Sequence, residues 1–252
     1  MRRLKAQALS MDVFGRLELH DELSLDRKFV RKKAQIFSLR TQGFGYWTWK
    51  PYLIERVLQK LNDGEVLVYS DVGNHFNSHA RDQLSDYISL ASASPVGICA
   101  PRLSDRFSER EWTKRELLKY FDVETDVTIT NSPQFEANFI VIVAGQHSRS
   151  FIRRWNDTHE RRLDLFDGVF RCPQFDGFRE HRHDQSVFSI LGKIYRVAKI
   201  PSDRDDFVKR LRDKPMIAAN TRYLWFLVRN GLLVERLCRA NKLGRAEAAK
   251  HS

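Results

Sequence analysis

Apolar positions recur at helical spacing from Tyr46 onward, at Trp49, Leu53, Val57 and Leu61, and Asn62-Asp63-Gly64 closes the pattern with turn chemistry. The period then changes. Glu65-Val66-Leu67-Val68-Tyr69 is a short β-branched run leading into Ser70-Asp71-Val72-Gly73, which predicts a buried parallel strand whose carboxyl end opens on a ligand crevice. The alternation continues with a helix over 78–92, a strand over 96–100, a helix from Glu109 to Phe121, a strand over 137–143 and a helix from Ser148 to Glu160. Residues 164–183 read as irregular, and a further helix begins near Asp184. At the amino end, residues 2–10 read as helical, whereas 11–36 show no clean period. Helices alternating with strands predict an α/β sandwich with a mostly parallel central sheet.

Near Ser202 the pattern changes again. Tyr223-Leu224-Trp225-Phe226-Leu227-Val228 opens an expected helix to about Lys242, with Arg229, Arg236, Arg239 and Lys242 on one arc and Phe226, Val234, Leu237 and Cys238 roughly opposite. It reads either as a helix docking on the main domain or as an interfacial, partner-binding helix. The expected organisation is a domain over 1–202 and a basic helical extension over 203–252.

Composition narrows the class. With 252 residues, 42% hydrophobic and 12% aromatic, the chain can bury a large core, which excludes disorder throughout. Its three cysteines, Cys99, Cys172 and Cys238, form no C-x-x-C pair, so neither a disulfide framework nor a structural zinc site is expected. No apolar run is long enough to cross a bilayer, and the charged start lacks the apolar segment of a signal peptide. A cytoplasmic protein is expected. The net charge of +11 lies mainly at the ends, +4 over residues 1–33 and +6 over 203–252. Basic ends around a nearly neutral body suit an anionic membrane surface, here the inner face of the plasma membrane reached through 203–252, or a protein partner; solvated charge is the plainer alternative. No nucleic-acid module is evident, so nucleic acid is not an expected partner.

Three groups of residues carry candidate chemistry. Asp71 closes a buried strand, where a carboxylate is costly unless it is paired, caps the next turn or holds a hard cation; Asn74 and His75 stand close in sequence. The run Glu180-His181-Arg182-His183-Asp184-Gln185-Ser186 enters a helix, where Asp184 either caps that helix or binds sugar hydroxyls with Gln185, and Arg182 could neutralise a phosphate. In the aromatic cluster Tyr46, Trp47 and Trp49, Trp49 reads as core, while Lys50, just before Pro51 at a helix start, favours an anionic group. There is no Walker loop, G-x-S-x-G, G-x-G-x-x-G or H-E-x-x-H, so P-loop NTPases, serine hydrolases, dinucleotide oxidoreductases and zincins lose support.

Taken together, Gly43-Phe44-Gly45-Tyr46-Trp47-Thr48-Trp49-Lys50-Pro51, Tyr69-Ser70-Asp71-Val72-Gly73, Trp112-Thr113-Lys114, Ser132-Pro133-Gln134-Phe135-Glu136-Ala137 and His181-Arg182-His183-Asp184-Gln185-Ser186 resemble a family of bacterial GT-A type nucleotide-sugar glycosyltransferases that act on surface glycans. The resemblance spans roughly residues 5–200. It implies a Rossmann-like GT-A sandwich and transfer of a hexosyl group from a nucleoside-diphosphate sugar to a glycan or glycolipid acceptor. It also implies donor contacts at Lys50, Tyr69, Asp71, Gly73, Arg182 and His183, and catalytic roles for Asp184 and Gln185. Trp47, Ser132, Gln134 and Glu136 would border the acceptor or sugar, and Asp71 would hold Mn²⁺ or Mg²⁺. Two departures stand out. The family's D-x-D reads Asp71-Val72-Gly73, with glycine in place of the second carboxylate, and the chain begins in what looks like the helix after the family's first strand. A non-catalytic nucleotide-sugar or glycan-binding relative, impaired by that missing strand, is the alternative.

Overall fold

The structure, a computed structural model, describes residues 2–21, 23–37, 41–78, 81–201, 216–218 and 232–237, with side chains described through residue 200. In chain order the strands are β1 (Arg16–His20), β2 (Val66–Asp71), β3 (Asn74–Phe76), β4 (Ile98–Arg102), β5 (Phe139–Val143), β6 (Ala198–Pro201), β7 (Met216–Ala218) and β8 (Leu232–Leu237). The helical segments are α1 (Arg2–Met11), α2 (Arg27–Lys32), α3 (Gly43–Tyr46), α4 (Trp49–Leu58), α5 (Gln83–Ala93), α6 (Glu109–Trp112), α7 (Arg115–Tyr120), α8 (Val127–Thr130), α9 (Gln146–Arg161) and α10 (His183–Ile194).

The α/β class holds, but the sheet is not mostly parallel. Its order is β1-β8-β2-β5-β4-β6, and of its ladders only β4 with β6 is parallel. Both β2 and β4 pair antiparallel with β5, so β2, β4 and β6 share one direction and β5 lies reversed among them. The cause is the route of the chain after β4. It passes through α6, α7 and α8 and returns to the edge it left, where Arg102 bridges Phe135 and the Leu103 amide donates to the Gln134 carbonyl at 2.9 Å. A strand that starts where its neighbour ends must run backwards. Periodicity reports that 137–143 is extended but is blind to its direction.

Side-chain alternation along the strands builds a core on each face of the sheet. Leu67, Tyr69, Ile98, Ala100, Ile140 and Ile142 pack with α4, α9 and α10 through Leu53, Ile54, Trp155, Val187 and Phe188. Val66, Val68, Cys99, Phe139 and Val141 face the opposite way, onto Leu4, Ala8 and Met11 of α1 and Leu84 and Ala91 of α5. Full burial of one such side chain contributes roughly 1.5–3 kcal/mol before entropy is counted.

Two further expectations are corrected, and one stretch without an expected element gains two. The expected helix over 109–121 is two short helices, broken where Thr113 and Lys114 are extended. Residues 11–36, without a clean period, contain β1 and the short α2, whose Asp26 carboxylate caps the Lys28 and Phe29 amides. Residues 232–237, expected inside a basic helix, form β8, paired with β1 on one side and β2 on the other. Leu232-Leu233-Val234 suits a buried strand as well as a helix, and tertiary pairing decides between them. The remainder of the expected extension, apart from β7, lies outside the described residues.

Candidate functional site

Strands β1, β2, β4 and β6 all end on one edge of the sheet, and β5 and β8 begin there, so loops converge at that edge. Asp71, the last residue of β2, stands on it with its side chain 31% exposed. Tyr69, two residues earlier on the same face and fully buried, donates its hydroxyl to Asp71 Oδ1. Lys50 enters from the first turn of α4 with its side chain 4% exposed. Its Nζ lies 2.8 Å from Asp184 Oδ2, 3.6 Å from Asp71 Oδ1 and donates to the Ala137 carbonyl at 3.0 Å. An ammonium has three protons, and three oxygens surround this one. Asp184 comes from the first turn of α10 and is buried rather than capping; the Arg182 carbonyl instead accepts the Gln185 amide there.

Electrostatics follow from this burial. Desolvation pushes Asp184 up to about 6 despite the neighbouring ammonium. Desolvation also works against the charge on Lys50, but Asp184 and Asp71 outweigh it and the pKa is raised. Burial, with Asp71 adding to it, drives the Tyr69 phenol well above its usual range, so it stays a donor. The cluster thus holds two carboxylates and one ammonium.

An aromatic wall adjoins it. Gly43, Phe44, Gly45, Tyr46 and Trp47 all have positive φ, between 48° and 88°, a run of left-handed backbone that L side chains resist. The turn is held by bonds of the Trp49 indole to the Gly43 carbonyl at 3.0 Å and of the Thr48 hydroxyl to the Gly45 carbonyl at 2.8 Å. It presents Tyr46 stacked on His183 at 5.2 Å and Trp47 tilted against the same ring at 5.7 Å. His183 itself has φ 46°. Its Nδ1 donates to the Phe166 carbonyl at 2.6 Å, and burial lowers its pKa, so the ring is neutral with Nε2 as a lone-pair site. Strained residues meeting at one place are a mark of sites that are over-determined for function.

The structure therefore brings together Lys50, Tyr69, Asp71 and Asp184, with Trp47 and His183 alongside, and places Gly73 in the turn after β2. Trp49 is core, as its spacing predicts. The other expected site residues have partners of their own, and Glu136 directly precedes Ala137, whose carbonyl accepts from Lys50. Arg182 rests its guanidinium over Trp112 at 4.1 Å and Phe107 at 5.0 Å, a cation–π seat. Gln134 is fully buried, its amide nitrogen within hydrogen-bonding reach of Glu109, the Trp112 carbonyl, Thr113 and Ser186, while its Oε1 accepts from Gln185 at 2.8 Å. Ser132 bonds the Ile129 carbonyl at 2.8 Å, and Glu136 accepts from Asn138 at 2.6 Å. Gln134 and Gln185 are thus partners in a structural network centred on Glu109, a hub that went unnoticed in the sequence. Its signal was the pair of i,i+4 spacings Glu109–Thr113 and Ser189–Lys193, which meet on one carboxylate.

No protein-family model, curated protein or solved structure matches this chain. The glycosyltransferase resemblance therefore stands on the residues quoted for it. The resemblance gives Mn²⁺ or Mg²⁺ a single protein ligand, Asp71, and among the described residues no group of three His, Cys, Asp or Glu side chains is placed to hold a metal. Asp71 has instead the Tyr69 hydroxyl and the Lys50 ammonium beside it. No helix among the described residues is long and apolar enough to cross a membrane.

Proposed function

We propose that the chain transfers a hexosyl group from a nucleoside-diphosphate sugar to a glycan or glycolipid acceptor. One observation carries this reading: two carboxylates from distant signatures share a buried ammonium at the sheet edge, beside an aromatic wall. Two negative charges against one positive leave a net negative charge there, suited to the positive charge that develops on a sugar ring as its anomeric bond stretches. Tyr46 and Trp47 offer flat apolar surface for that ring.

Asp71, the more open carboxylate, is the group that meets substrate. It accepts the proton of the acceptor hydroxyl as the acceptor oxygen bonds to the anomeric carbon and the bond to the leaving diphosphate breaks with its electron pair. Such a direct displacement inverts the anomeric centre. Asp184, nearly sealed from solvent, acts through Lys50: it holds the ammonium at 2.8 Å, against 3.6 Å for Asp71, and so fixes where that charge sits. Asp184 is thus a positioning residue here, and Gln185, tied to Gln134, supports the helix that carries it.

The test is turnover across UDP-, GDP- and dTDP-sugars with release of nucleoside diphosphate as the readout. Asp71→Asn is expected to lower kcat by about 100-fold or more. Asp184→Asn is expected to lower it less, because Asp184 acts on the reaction only through the position of Lys50. Absence of calorimetric binding for every donor would sink the reading, and binding without turnover would mark a non-catalytic nucleotide-sugar binder.

A further inference from the structure

Along the same edge, beyond β5, a cleft of about 300 Å³ opens at the ends of β4 and β6. Pro133 and Ile200 form apolar walls, and Arg102, Ser104, Asp105 and Lys199 supply its polar atoms. The two cations come from paired strands. Lys199 is opposite Ala100, two residues before Arg102, so by strand alternation both side chains rise from the same face. Among the described residues neither cation has a carboxylate within ion-pair distance, although Asp105 shares the cleft. Arg102 spends one N–H on a long contact to the Pro133 carbonyl, 3.4 Å, and lies 6.0 Å over the Phe135 ring, which fixes its plane while leaving other donors open. The Ser104 hydroxyl is buried and finds no partner. A buried hydroxyl is costly unless something completes its bonding.

We propose that this cleft binds a phosphate group, with Arg102 and Lys199 supplying charge and Ser104 a neutral hydrogen bond. A dianionic tetrahedral group matches two cations and a hydroxyl lining one cleft better than a planar monoanion does. The cleft lies two strand spacings from Asp71, roughly 10 Å, so one phosphate-bearing ligand could reach both places. The assignment does not rest on the transfer reaction.

The experiment titrates the full chain with inorganic phosphate, and separately with acetate, following backbone amide resonances. Phosphate is expected to shift the amides of Leu103 to Phe107 and of Lys199. Arg102→Gln and Lys199→Gln are each expected to weaken it by about tenfold, and Asp105→Asn to strengthen it. Asp71→Asn should leave it unchanged, which separates this site from the proposed reaction centre. Shifts that spare the cleft, or that persist unaltered in both cation variants, would overturn the proposal, as would acetate binding as tightly as phosphate.

Discussion

Lys50 carries the largest consequence of any single side chain. Its ammonium is the sole described cation in contact with Asp184, so Lys50→Met strands a buried carboxylate, expected to cost about 3–5 kcal/mol in urea unfolding. Removing the stranded charge as well, in Lys50→Met with Asp184→Asn, should recover part of that loss. Protonation gives an independent check. Asp184 stands at about 6 in the folded chain, above an unfolded carboxylate, so the folded state holds this proton more tightly. The stabilisation is full below the unfolded value near pH 4 and is lost as pH rises through about 6. Between pH 4 and 7 the wild type should lose about 2–3 kcal/mol relative to Asp184→Asn. A difference of the opposite sign would show Asp184 to be held as a stabilised anion, contrary to the burial argument. Much of this was legible at the level of residue type: Lys50, Asp71 and Asp184 were each readable as candidate site residues. Their meeting was not, because nothing in a linear pattern says that Lys50 turns inward instead of toward an anionic ligand.

The left-handed turn Gly43–Trp47 is the element whose sequence most strongly dictates its shape. A Cβ built on Gly43 would fall 2.2 Å from the Trp47 indole, and φ there is +60°. Gly43→Ala is therefore expected to destabilise the fold by about 1–3 kcal/mol and to change tryptophan fluorescence, since the indole must leave its seat. A wild-type melting curve and spectrum would show that the turn is not needed as drawn. The break between α6 and α7 is a second case. Helical periodicity spans Glu109 to Phe121, yet Lys114 is fully buried and its ammonium is drawn to the Asp164 and Asp167 carbonyls and to the Asp167 carboxylate at 3.0 Å. One lysine thus pins the irregular stretch read over 164–183. Lys114→Met should make that stretch cleave faster in limited proteolysis while the sheet stays intact. Such a break is invisible to periodicity because its cause lies fifty positions away.

At the scale of the molecule, sequence pattern found most helices and central strands, and missed how they are arranged. Strand direction and the place of β8 depend on which segments pair across the chain, and no local preference encodes that. The expectation of a separable extension after residue 202 makes a sharp contrast with β8 lying between β1 and β2. A chain ending at residue 202 would leave β2 with an unpaired edge of apolar residues, so it is expected to aggregate or lose its cooperative melt. A soluble monomer with an unchanged melting temperature would restore the module. The ion cluster bears on how the chain reaches its fold. Lys50 and Ala137 are 87 positions apart, and the partner carboxylates arrive from other segments again. Bringing them together requires late closure of long loops, and a half-assembled cluster is a desolvated charge without its counterion. The ion cluster is therefore expected to form in the last, slowest step of folding, so that chains with a mispaired sheet never acquire it.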